Sequence, residues 1–112
     1  MPHYDARYRL QHMLDNAEEA ICLIEGKNPT DLKNERMLEL SLIRLVEVIG
    51  EAAAKIREED YDKYPTIPWT QVIGMRNRLI HGYDEVDLDI LWDTIEIDLP
   101  MLVKELKNIL NQ

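Results

Sequence analysis

The feature that most constrains the fold is an apolar residue at every third or fourth position through most of the chain. Side chains at this spacing share one face of an α-helix. No segment alternates apolar and polar residues as a half-buried strand would, and only four glycines interrupt the pattern. The sequence therefore predicts an all-α fold. The longest stripe belongs to the C-terminal segment and consists of Leu88, Leu91, Trp92, Ile95, Leu99, Leu102, Leu106 and Leu110.

Two helices are predicted in the first half of the chain. The first covers about residues 5–25, and the Gly-Lys-Asn-Pro sequence at 26–29 ends it. The second begins at Thr30 or Asp31, which are both favourable N-caps, and continues to about Glu59. Gly50 is the only glycine in this second helix, and a single glycine does not end a helix. The second helix is therefore predicted to be the longest element.

The second helix carries apolar residues on two sides, and a helix of this kind needs two packing partners. In a chain of 112 residues, the second partner is expected to be another copy of the same chain. The core stripe is Leu38, Leu42, Leu45, Ile49, Ala52, Ala53 and Ile56, and the second line is Leu40, Ile43, Glu47, Gly50 and Ala54.

A connector separates the second helix from the next. Residues 61–68 contain two prolines, and Pro68 suits the first turn of a helix. The aromatic side chains of Tyr61, Tyr64 and Trp69 could stack on nucleic-acid bases, but aromatic residues beside a helix start more often pack internally.

The C-terminal helix is predicted to begin at an N-cap and to be interrupted once. Asp87 supplies the cap, and Pro100 removes a backbone donor and should kink or split the helix. With no repeat or linker in view, residues 1–112 are expected to form a single domain, an up-and-down bundle of four to five helices that assembles as a homodimer.

Composition limits the classes of partner and environment. A net charge of −9 opposes non-specific nucleic-acid binding, because that affinity comes largely from Lys and Arg contacts to phosphate. No apolar run approaches the ~20 residues that cross a bilayer, so a cytoplasmic protein without membrane contact is expected. The single cysteine, Cys22, is expected to be a buried, inert thiol rather than a reactive one. The scattered histidines and the lone cysteine predict no metal site and no cofactor.

Residues 75–83, Met-Arg-Asn-Arg-Leu-Ile-His-Gly-Tyr, concentrate groups capable of chemistry. In a helix that starts at Trp69, Arg76 falls inside the apolar arc and so needs a carboxylate, a phosphate or an open cleft beside it. Arg78 adds a second guanidinium, and a two-fold axis would double this local positive charge. The arc consists of Trp69, Val72, Ile73, Met75, Leu79 and Ile80.

The end of this segment predicts a proton-transfer group. Asn77 and His81 lie four residues apart, so on one helix the amide could bond one ring nitrogen and leave the other free. Gly82 is suited to a left-handed C-terminal cap that directs Tyr83 back along the helix.

At these residues the sequence resembles a known family. The pattern Arg76-x4-His81-x-Tyr83 is similar to the motif of the HepT-like HEPN toxins, and Asn77 fits the polar position after the arginine. The resemblance extends to residues 47–53 (Glu-Val-Ile-Gly-Glu-Ala-Ala), 67–69 (Ile-Pro-Trp) and 91–92 (Leu-Trp).

The resemblance implies a function and its machinery. It implies a dimeric helical bundle in which Arg76 and His81 form a metal-independent ribonuclease site at the dimer interface. It also implies an antitoxin partner of the minimal nucleotidyltransferase (MntA) type, which adenylylates Tyr83 and so inhibits RNA cleavage.

Three interpretations of the motif remain open at this point. These are an RNA-cleaving site, a binding module that docks a nucleotidyltransferase partner or a nucleotide, and an inactive interface network. Glu47 likewise has two interpretations: a surface carboxylate paired with Arg44, or a support that holds Arg76 or Arg78 in place.

Overall fold

The computed structural model of the protein describes residues 5–81 and 85–112, with His81 described through its backbone. The all-α prediction is confirmed, since the three longest helices pack together as a bundle and the shorter elements surround them. The helices are α1 (Ala6–Leu23), α2 (Pro29–Asn34), α3 (Arg36–Ala54), α4 (Glu58–Tyr61), α5 (Trp69–Ile73), α6 (Met75–Leu79), α7 (Leu88–Asp93) and α8 (Leu99–Leu110). A π-helical turn, Thr94–Asp98, joins α7 to α8, and β1 (Ile80–His81) pairs with β2 (Glu85–Val86).

Helix α1 begins and ends where local chemistry dictates. The carboxylate of Asp5 accepts hydrogen bonds from the backbone N–H groups of Arg7 and Tyr8, at 2.9 and 3.4 Å. The helix ends at Leu23, two residues before the predicted end near residue 25. Gly26, in the turn that follows, has φ 73°, a left-handed conformation that favours glycine. Cys22, however, is exposed near the end of α1, so the prediction of a buried thiol is wrong. The core-facing side of the helix carries the other apolar residues.

The predicted second helix is divided, and its start differs from the prediction. Asn28 is the N-cap, because its side chain accepts from the backbone N–H of Asp31 (3.0 Å) while Asp31 accepts from the N–H of Asn28 (2.8 Å). Glu35 is extended, with φ −116° and ψ 93°, and separates α2 from α3. Lys27 bonds both oxygens of the Glu35 carboxylate, at 3.0 and 3.1 Å, which draws this break towards the loop after α1. Helix α3 then ends at Ala54 rather than near Glu59.

The core is centred on α1, which packs against both α3 and α8, and the shorter elements around them also contribute to it. Burial of apolar side chains supplies most of the stability of a helical bundle. Its largest fully buried side chains are Leu10, Met13, Leu32, Leu42, Val46, Ile49, Leu79, Leu91, Ile95, Leu99 and Leu106.

The aromatic residues of the connector pack internally, as the more frequent interpretation predicted. The rings of Tyr61 and Trp69 stack with centroids 4.6 Å apart. The Tyr61 hydroxyl donates to the Ala53 carbonyl oxygen (3.1 Å), and the Trp69 indole N–H donates to that of Tyr64 (3.1 Å). Partial burial, and secondarily the nearby Glu58 carboxylate, raise the pKa of Tyr61. These bonds anchor the start of α5 against the end of α3.

The C-terminal helix is capped and interrupted at the predicted residues. The Asp87 carboxylate accepts from the N–H groups of Asp89 (3.0 Å) and Ile90 (3.1 Å). Ahead of Pro100 the backbone widens into the π-helical turn, in which the Leu99 N–H bonds the Thr94 carbonyl oxygen five residues back. The turn accommodates a residue that has no N–H to donate. Along residues 5–81 and 85–112, none of the helices combines the length and hydropathy that crossing a bilayer requires.

Candidate active site

The segment that carries the motif is held against α3 by a close backbone approach. A Cβ added at Gly50 would lie 3.4 Å from the carbonyl oxygens of both Val72 and Ile73. A methyl group there would just touch these oxygens, whereas a larger side chain would push α5 away from α3. Met75 and Leu79 are the buried side chains of α6, and they fix the orientation of this helix. The exposed side of α6 is thereby presented next to the middle of α3.

Arg76 reaches the side chain of Glu47 on α3. Its Nε donates to the Glu47 Oε2 at 3.0 Å, and the two side chains are 52% and 26% exposed. The expectation that Arg76 lies within an apolar arc is wrong, because the helix breaks at Gly74 and α6 turns this position outward. Of the two interpretations of Glu47, the contact with Arg76 is observed. Arg44 instead lies 3.5 Å from Glu51, which is two turns further along α3 than Arg44 itself.

Arg78 faces a different part of the molecule. Its Nη2 lies 4.0 Å from the Oδ2 of Asp98, at the end of the π-helical turn. Residues two apart on a helix point about 200° away from each other, so Arg76 and Arg78 do not form one positive cluster within a protomer. No sequence pattern indicated Asp98 as the partner of Arg78, because it lies 20 positions further along the chain in another element.

The backbone places His81 outside the helix. Helix α6 ends at Leu79, and the chain continues as β1, with Ile80 opposite Val86 and His81 opposite Glu85. The predicted helical contact between Asn77 and His81 is therefore wrong in its geometry, since the four-residue spacing no longer defines a shared face. Asn77 itself is exposed on α6. The Gly82 cap and the position of Tyr83 lie outside the described residues.

Two features fix where β1 begins. The Asp87 N–H donates to the Leu79 carbonyl oxygen at 2.7 Å, which closes the loop that contains the end of the motif. The two-residue ladder pairs with the segment just ahead of α7. The ladder thus holds the His81 backbone just beyond the end of α6. His81 follows Arg76, the residue that bonds Glu47, by five positions in the sequence.

The Arg76 guanidinium is suited to bind an anion. Only its Nε contacts Glu47, and among the described residues no other carboxylate lies within ion-pair distance of its two terminal amino groups. A guanidinium presents these groups as a planar fork that matches two oxygens of a phosphate. Glu47 also fixes the direction of the fork, because the Nε bond restrains the last torsions of a long side chain.

Comparison with known proteins identifies the family. The sequence profile of the HepT-like ribonucleases matches residues 13–109. The chain belongs to this family. The matched range contains the motif segment and Glu47, and an all-α bundle is the fold that the sequence resemblance implied.

Relatives of this HepT-like chain carry ribonuclease names. A protein from Caldanaerobacter subterraneus subsp. tengcongensis is 35% identical over 103 residues, which cover 92% of each chain. Another from Methanocaldococcus jannaschii is 34% identical over 110 residues, covering 98% of this chain and 95% of its own. Both bear the name "Putative RNase". "Probable ribonuclease HepT" from Thermococcus cleftensis is 37% identical over 93 residues, covering 80% of this chain and 84% of its own. No solved structure matches with comparable significance.

Proposed function

We propose that this HepT-like protein is a metal-independent endoribonuclease and the toxin of a toxin–antitoxin pair that acts in the cytoplasm. The observation that carries the proposal is the Glu47–Arg76 bond, which holds an exposed guanidinium five residues ahead of the motif histidine. The names of the relatives and the family itself point to RNA as the substrate.

In the proposed reaction, the 2′-oxygen of a ribose attacks the adjacent phosphorus and the bond from phosphorus to the 5′-oxygen breaks. His81 accepts the 2′-hydroxyl proton or donates a proton to the leaving 5′-oxygen, and the two histidines of a dimer divide these tasks. Arg76 stabilises the extra negative charge on the phosphorane. The products carry a 2′,3′-cyclic phosphate and a 5′-hydroxyl, and no redox or metal step is needed for balance.

The charge of the protein restricts how RNA is bound. With a net charge of −9, the chain repels a polyanion except where cations are concentrated, so the proposed contact is local and centred on Arg76. Asn77, exposed on the same helix, is proposed to assist in positioning the RNA. The two-fold axis of a dimer would bring a second Arg76 to the same cleft.

Cleavage in the presence of EDTA tests the proposal. Protein freed of any partner is expected to cleave single-stranded RNA at the same rate with and without excess EDTA, because proton transfer is assigned to histidine. The rate should fall on both sides of an optimum near neutrality, since one histidine must be neutral and the other protonated. Restoration of activity by magnesium after EDTA treatment would contradict the mechanism. A protein that binds RNA or a nucleotide without cleaving it would instead be a binding module.

A homodimer is proposed through the exposed side of α3. Met37 (80% exposed) and Leu40 (47% exposed) lie on the same side of this helix as Glu47, at spacings of three and seven residues. Large apolar side chains exposed side by side favour contact with another protein surface.

Light scattering is expected to give about twice the chain mass of 13.2 kDa. The Met37→Asp variant should shift the mass towards the monomer and lower RNase activity, because it introduces a charge into the apolar contact. Met101→Asp, which changes a methionine on α8 that is 68% exposed, is the matched control and should remain dimeric. A monomeric wild-type protein that retains full activity would contradict the composite site.

Glu47 is proposed to position Arg76 rather than to react. Glu47→Gln should lower the cleavage rate about tenfold, since the neutral amide holds the guanidinium less firmly. Its effect on stability should be at most about 1 kcal/mol, because both partners are partly exposed. Glu51→Gln, which removes the carboxylate beside Arg44 on the same helix, is the matched control and should cleave normally. Equal activity of the two variants would refute the positioning role.

A further inference from the structure

A cavity of about 420 Å³ lies between the motif segment and α8, on the Arg78 side of α6. Its apolar floor is formed by Val72, Met75 and Leu102, all of which are buried. Met101 stands at its edge and is 68% exposed. An apolar hollow beside an exposed methionine favours contact with apolar side chains, because methionine adapts its shape to different partners.

The charges around the cavity restrict its occupant. Arg78 and Lys104 contribute two positive charges, and Asp98 and Glu105 contribute two negative ones. A nucleic-acid strand gains nothing from a ring with no net charge, and the acidic chain as a whole repels it. The ring instead complements an apolar stripe flanked by charged side chains, which is the pattern of an amphipathic protein helix.

The spacing of the acidic pair defines the register of such a helix. Asp98 and Glu105 lie seven residues apart, about 10 Å along a helix, and Met101 falls between them. Asp98 lies 4.0 Å from Arg78, a long contact between half-exposed side chains, so its carboxylate can accept a second cation. A helix with a lysine at each end of an equivalent seven-residue span would face both carboxylates, with leucines between them over the cavity. An acidic side chain near its edge would face Lys104.

We propose that this cavity is a docking groove for an amphipathic helix of a partner protein, with leucine-like anchors flanked by lysines seven residues apart. The occupant would contact Met75 and Arg78, which lie on either side of Arg76 in the sequence of α6. Because the Glu47 contact lies on another side of α6, an occupant of the groove would leave the Arg76 guanidinium exposed. The proposal does not depend on ribonuclease activity.

Methionine-methyl NMR on the full-length protein tests the groove directly. The probe is a synthetic helical peptide with two leucines between lysines seven residues apart, and a scrambled peptide of the same composition is its control. The designed peptide should shift the methyl signals of Met75 and Met101. The signals of Met13, in the core, and Met37, on α3, should not move.

Variants of surface residues test the charge pattern without disturbing the core. Met101→Asp should raise the Kd of the peptide about tenfold, as expected for loss of a central apolar contact, whereas Met37→Asp should leave it unchanged. Glu105→Lys should weaken binding of the same peptide, and a peptide with glutamate in place of the facing lysine should restore it.

Three results would overturn the proposal. Equal binding of the designed and scrambled peptides would show that charge spacing does not matter. Shifts at Met37 without shifts at Met75 would place the peptide on α3. Shifts at Met75 with indole alone, and none with the peptide, would show a small-molecule cavity and not a helix groove.

Discussion

Replacing His81 with alanine is expected to lower the rate of RNA cleavage by a factor of about 10² to 10⁴, the range typical for loss of a general acid or base. Arg76→Ala should cost a comparable factor of about 10² to 10³, because it removes charge stabilisation from the transition state. The rates should be measured on single-stranded RNA with protein freed of its partner. Circular dichroism should show unchanged helicity, because Arg76 contributes one exposed ion pair.

Matched variants separate chemistry from general charge loss. His12→Ala and Arg9→Ala remove a histidine and an arginine from α1, and both variants should cleave at the wild-type rate. Arg76→Lys should be nearly as inactive as Arg76→Ala, because an ammonium cannot present a planar fork to two phosphate oxygens. Full activity of the His81→Ala variant would leave the motif as a docking surface or an inactive network.

The amphipathic stripes predicted the all-α fold because helical periodicity depends only on neighbouring residues. The start of α1, the cap at Asp87 and the interruption before Pro100 were predicted for the same reason: each depends on residues within one turn. Helix breaks at Glu35 and Gly74 were not predicted. They satisfy tertiary contacts, such as the bond between Lys27 and Glu35, that no local pattern encodes.

The candidate site was predictable in part. Glu47 was identified in the second line of residues on α3, but the sequence left its partner open between Arg44 and the motif arginines. The contact with Arg76 depends on how α3 and α6 pack. The separation of Arg76 from Arg78 follows from helix geometry, but the partner of Arg78 required the folded position of Asp98. The strand at Ile80 was missed because a ladder of two residues is too short to produce a periodic pattern in the sequence.

Tyr83 is proposed as the position at which the partner switches the enzyme off. It follows His81 by two residues, so an AMP group on its hydroxyl would add bulk and negative charge near the proposed phosphate site. This charge would compete with RNA for Arg76 and add to the repulsion from a chain that already carries −9. Inhibition therefore requires no large structural change.

Incubation with ATP and a nucleotidyltransferase partner is expected to add one or more AMP units to the wild-type protein and to abolish its RNase activity. Tyr83→Phe should keep the wild-type cleavage rate, gain no AMP and remain active after the same incubation, because the ring is retained and only the acceptor hydroxyl is lost. Intact-mass spectrometry and the RNA cleavage assay measure the two effects on the same sample. Tyr61→Phe is the matched control, and it should still be modified, since its hydroxyl is bonded to the Ala53 carbonyl oxygen and serves packing. An unchanged wild-type mass, or AMP on Tyr61 or Tyr64, would refute the switch.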